Sequence, residues 1–275
     1  MSSNELRSEA ASIAHALKRK VERERALGTG ELLAAGVASA RRNGAAPRPG
    51  TAVAADVIEL PPFTDGLYPS ALAGGRDALF AAALPVLNTV AEEARACTRC
   101  GLCKTRTNAV PGVGSARSGI VFVGEAPGAD EDLRGEPFVG RAGELLTQMI
   151  AGMNDRQLIP GVTLSRETVY IANVLKCRPP ENRNPLSHEI DSCSPFLMRQ
   201  LEALQPRVIC CLGKFAAELL LQLKGTIKSM RGKTYRWRGA KLIVTYHPAY
   251  CLRDPRAKAP VWEDLQRLAQ EYLSD

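Results

Sequence analysis

Four short, almost uninterrupted apolar runs, each leading into a polar or helical stretch, limit what this chain can fold into more than any other feature. They are Gly119–Glu125 (GIVFVGE), Val169–Lys176 (VYIANVLK), Arg207–Gly213 (RVICCLG) and Lys241–His247 (KLIVTYH). Strands that are apolar throughout, rather than at alternate positions, are buried on both faces. Strands that alternate with helices, such as AGELLTQMIAGM and EIDSCSPFLMRQLEAL, are joined by crossovers and run parallel. The expected fold is therefore α/β: a three-layer αβα arrangement around a central four-stranded, mainly parallel sheet. Ligands bind beyond the carboxyl ends of the strands in such sheets. The polar, Gly- and Pro-rich segments fall there: GEAPGADED after the first run, NVLKCRPP ending the second, YHPAY ending the fourth.

The chain before the first run is different. Residues 1–43 are rich in Ala, Glu, Arg and Lys, and Leu6, Ala10, Ile13, Leu17 and Val21 recur at helical spacing. An amphipathic helix or a charged, partly disordered arm both fit. NGAAPRPG, ELPPFTDG and LAGG make 44–76 read as a linker. A further helix is expected over about 77–96. The expected organisation is an N-terminal extension over 1–76, either a tether for a protein partner or a disordered arm, and a folded domain over 77–275.

The net charge of +7 favours a polyanionic partner, although a basic solvated surface would read the same. No apolar run is long enough to span a bilayer, and MSSNELRSEA lacks the pattern of a secretory signal. A cytoplasmic location, with no membrane association, is the expectation. In that reducing setting the 8 cysteines point to metal or cluster ligation rather than to disulfides.

ACTRCGLC holds Cys97, Cys100 and Cys103; Cys177 ends the second run and Cys193 lies in the helix after it. A CxxC pair with two distant cysteines can supply four thiolates to an iron–sulfur cluster, or to structural zinc. Spacing alone allows either Cys97 with Cys100 or Cys100 with Cys103. Cys210 and Cys211 sit inside an apolar run and read as small hydrophobes. Cys251 reads as a loop residue.

In order along the chain, CTRCGLCKTR, GEAPGADEDLRGEPFVGRAGELL, NVLKCRPPENRNP, SMRGKTYRWRG and TYHPAYCLRDP resemble the family 4 uracil-DNA glycosylases, the iron–sulfur branch of that superfamily. The resemblance covers residues 94–272 and leaves the extension unexplained. It implies an enzyme that hydrolyses the N-glycosidic bond of deoxyuridine in single- or double-stranded DNA. It further implies a monomer with a 4Fe–4S cluster on Cys97, Cys100, Cys177 and Cys193, with Cys103 as a spare. The cluster would organise DNA-contacting loops rather than do chemistry.

Uracil must leave the stack, its developing negative charge must be stabilised, and water must reach the sugar. Phe138 is the candidate stacking partner for the flipped base. Asn173 offers both a donor and an acceptor, which matches uracil O4 and N3–H. The resemblance gives His247 the O2 contact. Gly124, Glu125 and Ala126 would line the base and the water through their backbone. Ala126 stands where the family 1 enzymes carry a water-activating Asp. Glu131 and Asp132, with Asp130 nearby, are the acidic candidates for catalysis, and their other reading is capping of the next helix. Arg253 belongs to the loop that would enter the groove. Lys214, Lys228, Arg231 and Lys233 are candidate phosphate contacts, and singly each could be an ordinary exposed charge.

Three other readings fit part of the pattern. A superfamily member acting on another deaminated base is one, although the covalent branch's KRRIH insertion is missing. A non-catalytic cluster-bearing DNA-binding module is another, but Phe138, Asn173 and His247 speak for catalysis. A zinc protein is the third.

Overall fold

The computed structural model describes residues 57–58 and 75–274. The helix proposed within 1–43 and almost all of the linker over 44–76 lie outside them.

The four apolar runs form the middle of one sheet. They are β3 (Ile120–Gly124), β4 (Tyr170–Asn173), β5 (Val208–Leu212) and β7 (Ala240–Thr245), and every residue in them is buried. They lie side by side as β7-β5-β3-β4, each pair parallel. The sheet is wider than the four strands expected. Short strands β1 (Val57–Ile58), β2 (Val113–Gly114) and β6 (Thr234–Trp237) extend it to seven, in the order β1-β6-β7-β5-β3-β4-β2. β2 and β6 pair antiparallel to their neighbours, and β1 lies parallel to β6 inside the segment read as linker. The β6–β7 hairpin turns on Arg238 and Gly239, both with positive φ, which is the backbone a two-residue hairpin turn requires.

Side chains alternate along each strand, so each face meets its own helices. Val121, Val123, Ile209 and Val244 pack under α1 (Gly75–Ala96) and two later helices, Ser187–Leu204 and Lys214–Leu221. Ile120, Phe122, Cys210 and Ile243 face the helices Arg141–Asp155 and Lys258–Leu273. In chain order the described helices are α1, α2 (Ala129–Arg134), α3 (Arg141–Asp155), α4 (Ser187–Leu204), α5 (Lys214–Leu221), α6 (Ile227–Met230), α7 (Pro248–Arg253) and α8 (Lys258–Leu273). The three-layer αβα architecture follows. Removing one fully buried side chain, for example Leu197→Ala, should cost about 2–5 kcal/mol.

The strand order places the site. From β3 the chain crosses to β4 on one side and then to β5 on the other. The crevice where the direction reverses, at the carboxyl ends of β3 and β5, is where such sheets bind ligands. The ladder of β3 and β4 continues past the strands, with Val174 N donating to Gly124 O and Leu175 N to Glu125 O, both at 3.0 Å. This holds the two strand ends together.

Candidate functional site

Gly124, Phe138, Asn173 and His247 meet at these strand ends. A side chain on Gly124 would start 2.4 Å from Asn173 Oδ1 and 2.6 Å from Phe138 Cζ, so only glycine lets the two approach. Asn173 is 1% exposed, and its Oδ1 is buried with no hydrogen-bond partner. A buried acceptor left unpaired is unfavourable unless a ligand completes it. The rings of Phe138 and His247 stack at 5.4 Å.

Phe138 is held in an unusual backbone. Its φ is +55°, a region that aromatic residues seldom adopt. Glu131 fixes that turn: Oε1 accepts from Val139 N at 2.9 Å and Gly140 N at 3.0 Å, while Oε2 accepts from Gly128 N at 3.1 Å. A Cβ on Gly143, in the first turn of α3, would fall 1.8 Å from Phe138 O. Helix, clamp and ring form one unit. Phe138 is thus both a loop residue and a buried one.

His247 caps α7. Its Nδ1 accepts from Ala249 N at 3.1 Å, so the neutral ring carries its proton on Nε2. Burial lowers its pKa to about 4, and the nearby Arg253 charge acts in the same direction. The imidazole is therefore a neutral donor at ordinary pH.

Glu131 and Asp132, offered from sequence as catalytic acids or helix caps, both meet main-chain donors. Both oxygens of Glu131 are taken by main-chain donors, as above. Asp132, 5% exposed, accepts from Thr107 N at 2.9 and 3.0 Å and from Asn108 N at 3.4 Å, and pins the segment before β2. The geometry gives both of them scaffolding work. Asp130 is exposed. Burial acts instead on Glu125, whose carboxyl is pushed up to about 7 against the pull of Arg253. Ala126 adds no acid to the loop.

Of the cationic candidates, Arg253 is exposed, 6.0 Å from the ring of the exposed Tyr250, with exposed Leu252 beside it. Lys214, Lys228 and Lys233 are exposed, and Lys214 pairs with Glu218 at 3.5 Å. Arg231 has other partners. Its side chain is only 16% exposed and bonds Asp264 at 2.9 Å. It also donates to Pro260 O and lies 5.1 Å from the Tyr246 ring. Thr245 Oγ1 donates to the same Asp264 carboxylate at 2.7 Å, so this network anchors the end of β7 just before His247.

The cysteines gather at the other end of α1. Cys97 follows that helix, Cys100 and Cys103 belong to the turn Gly101–Lys104 and its N-terminal flank, Cys177 follows β4 and Cys193 lies in α4. All five line one small cavity. Geometry does not separate Cys103 from its neighbours. Arg106 Nη1 donates to Cys177 Sγ, and Lys176 N to Cys193 Sγ, each at 3.2 Å. A thiol set with cationic and N–H donors fits a thiolate-ligated group carrying net negative charge. Among the described residues, no three His, Cys, Asp or Glu converge as a single metal ion requires. A cluster spreads its iron atoms and accepts thiols set around a cavity. Cys210 and Cys211 are buried in β5 as expected, whereas Cys251 is fully buried in α7 rather than lining a loop.

From sequence alone Lys176 draws no role, and Arg106 only marks the cysteine motif. Lys176 is 1% exposed, and burial draws it down to about 8 against the pull of Cys193. A lysine inside the apolar VLK run was the available signal. No helix among the described residues is long and apolar enough to cross a membrane.

The profile of the uracil DNA glycosylase superfamily matches residues 111–266. The type-4 uracil-DNA glycosylase of Archaeoglobus fulgidus is 47% identical over 192 residues, covering 67% of this chain and 92% of that protein. That of Saccharolobus solfataricus is 43% identical over 196 residues, covering 68% and 87%. That of Thermotoga maritima is 41% identical over 186 residues, covering 66% and 92%.

Proposed function

Since the chain belongs to the type-4 uracil-DNA glycosylases, we propose that it excises uracil through the pocket of Phe138, Asn173 and His247, with leaving-group stabilisation as its main chemistry. The enzyme hydrolyses the N-glycosidic bond of deoxyuridine in DNA and leaves an abasic site. The observation that carries the assignment of the pocket is the buried, unpartnered Oδ1 of Asn173. Uracil N3–H supplies the missing donor; cytosine presents an acceptor at N3 and would leave the orphan unpaired. Uracil O4 takes the carboxamide N–H. Phe138 gives the flipped base its stacking face.

As the bond from N1 to C1′ breaks, the electron pair leaves with uracil and charge spreads to O2. The neutral Nε2–H of His247 donates there without having to lose a proton of its own. A water oxygen bonds C1′, and its proton passes to solvent or to Glu125 in its ionised form. Glu125, with the main chain of Gly124 and Ala126, is the group we assign to the water and the sugar. Glu131 and Asp132 serve by holding the loops. Arg253 enters the groove, and Lys214, with Lys228 and Lys233, meets phosphates.

Cys97, Cys100, Cys177 and Cys193 would hold a 4Fe–4S cluster, with Cys103 left over. The cluster contributes structure, tying α1, the end of β4 and α4 to one another. We assign the catalytic domain to 77–275 and a separate extension to 1–76, which would tether a partner. The protein would act as a monomer on single- and double-stranded DNA in the cytoplasm, a compartment that suits 8 cysteines outside any disulfide.

The deciding experiment incubates the purified chain with a uracil-containing oligonucleotide, then cleaves abasic sites with alkali. Strand breaks at uracil but not at cytosine are expected, and an Asn173→Ala variant should lose them. Absence of breaks on both single- and double-stranded substrates would overturn the assignment.

A further inference from the structure

Lys176 lines the cysteine cavity, and its side chain reaches the strand end that carries Asn173. Its ammonium donates to the main-chain oxygen of Asn173 at 2.9 Å and to Gln200 Oε1 at 2.8 Å. Gln200 is 0% exposed and is fixed in turn, its Nε2 donating to Pro111 O at 2.9 Å. The main-chain N–H of the same lysine reaches Cys193 Sγ, and Cys177 is its chain neighbour. Among the described residues no carboxylate lies within ion-pair distance of it. A buried ammonium without a counter-charge is strongly unfavourable. Among the described residues, the ionisable group whose charge acts on it is Cys193.

We propose that Lys176 is a positioning residue that couples the cysteine centre to the uracil pocket: the net negative charge of the thiolate-ligated group holds its ammonium in place, and the ammonium holds Asn173. Two neutral acceptors satisfy its hydrogen bonds, and the cysteine centre supplies the charge they lack. The main chain of Asn173 is thereby fixed from below, so the carboxamide that reads the base cannot swing with the strand end. Arg106 brings a second cation to the cysteine centre, at Cys177. The proposal rests on the uracil and cluster assignments made above. It gives the cysteine centre a specific consequence for base recognition.

The test uses Lys176→Met, which keeps length without charge or donor, and Lys176→Gln, which keeps a donor without charge. Both are made in the full chain and purified anaerobically. Visible absorption reports the cluster, voltammetry its midpoint potential, and inhibition by free uracil the integrity of the pocket. Both variants should retain the absorption and shift the potential to more negative values, because a buried cation favours the reduced form. Lys176→Met should weaken free-uracil binding and raise KM about tenfold, with kcat changing less, whereas Lys176→Gln should keep most of the binding. A folded Lys176→Met with wild-type potential or wild-type uracil inhibition would overturn the coupling. If that variant does not fold, Gln200→Leu decides, since it removes an acceptor and leaves the charge. Weaker uracil binding at near-wild-type potential supports the proposal, and unchanged uracil binding refutes it. A wild-type chain that releases no uracil would instead defeat the pocket assignment, a result distinct from any of these.

Discussion

The imidazole of His247 accepts the main-chain N–H of Ala249 at 3.1 Å through Nδ1, and this one bond fixes which ring nitrogen can face a leaving base. With Nδ1 occupied, Nε2 carries the proton. His247→Ala should lower kcat about 10²–10³-fold, the range for loss of one preorganised donor to a developing anion. Affinity for an uncleavable oligonucleotide, read by fluorescence anisotropy, should change little. Because burial holds His247 near about 4, the Glu125→Gln variant should show no step at the usual histidine pKa. A variant that keeps most of its rate would assign the stabilisation of the anion elsewhere.

Glu125 gives the pH dependence its sign. Its folded pKa of about 7 lies above its ordinary value of 4.5, so burial opposes the charged form. The resulting loss of stability is absent below the ordinary value, grows between the two, and is complete above about 7. Glu125→Gln removes that loss. Urea unfolding should find the variant more stable than wild type at pH 8 and matched to it at pH 4. Activity should move the other way: the wild-type rate rises as Glu125 ionises, and the variant's profile is flat through that window and lower. Identical pH–rate profiles would exclude Glu125 from the chemistry.

The strands that carry the site were legible because an apolar run has one explanation, burial on both faces. Asn173 and His247 could be found because they end such runs. The short strands β1, β2 and β6 were not legible: they hold two to four residues and exist only because a formed sheet offers them a partner. The partners of charged residues were not legible for a related reason. Arg231 in SMRGK reads as a phosphate contact, yet its partner Asp264 stands 33 positions later. Lys176 reads as the polar end of a strand, yet Gln200, 24 positions on, is folded over it. Glu131 reads from sequence as a catalytic acid or a cap of the next helix, and its bond to Gly128 N fits the cap. Its two further donors, Val139 N and Gly140 N, have no signature in sequence. Local pattern reveals what a segment buries, but not which distant group completes a polar side chain.

The clamp at Glu131 can be separated from base catalysis by the kinetics. Glu131→Ala releases Val139 N and Gly140 N, and with them the turn that holds Phe138 at φ +55°. The base then meets a mobile ring. KM should rise more than kcat falls, and thermal stability should drop by about 1–3 kcal/mol for the unpaired donors. Glu131→Gln keeps a carbonyl acceptor and should recover much of both. If Glu131→Gln abolished single-turnover cleavage at saturating enzyme while His247→Ala kept most of it, Glu131 would be the base and the present assignment would fail.

Arg231 and Arg253 should respond to substitution in opposite ways, although sequence offered both as DNA contacts. Arg253 is exposed beside Tyr250, so Arg253→Ala should weaken DNA binding and reduce the salt slope by about 0.9 if it neutralises one phosphate. Its folding stability should be nearly unchanged. Arg231 is buried against Asp264, and Arg231→Ala strands that carboxylate beside Thr245. Breaking such a pair costs about 3–5 kcal/mol. The strand end that aims His247 loosens with it, so the rate falls through kcat while the salt slope of binding stays at the wild-type value. Measured as log K against log salt for both variants, a changed slope in Arg231→Ala would return that arginine to the DNA-binding surface.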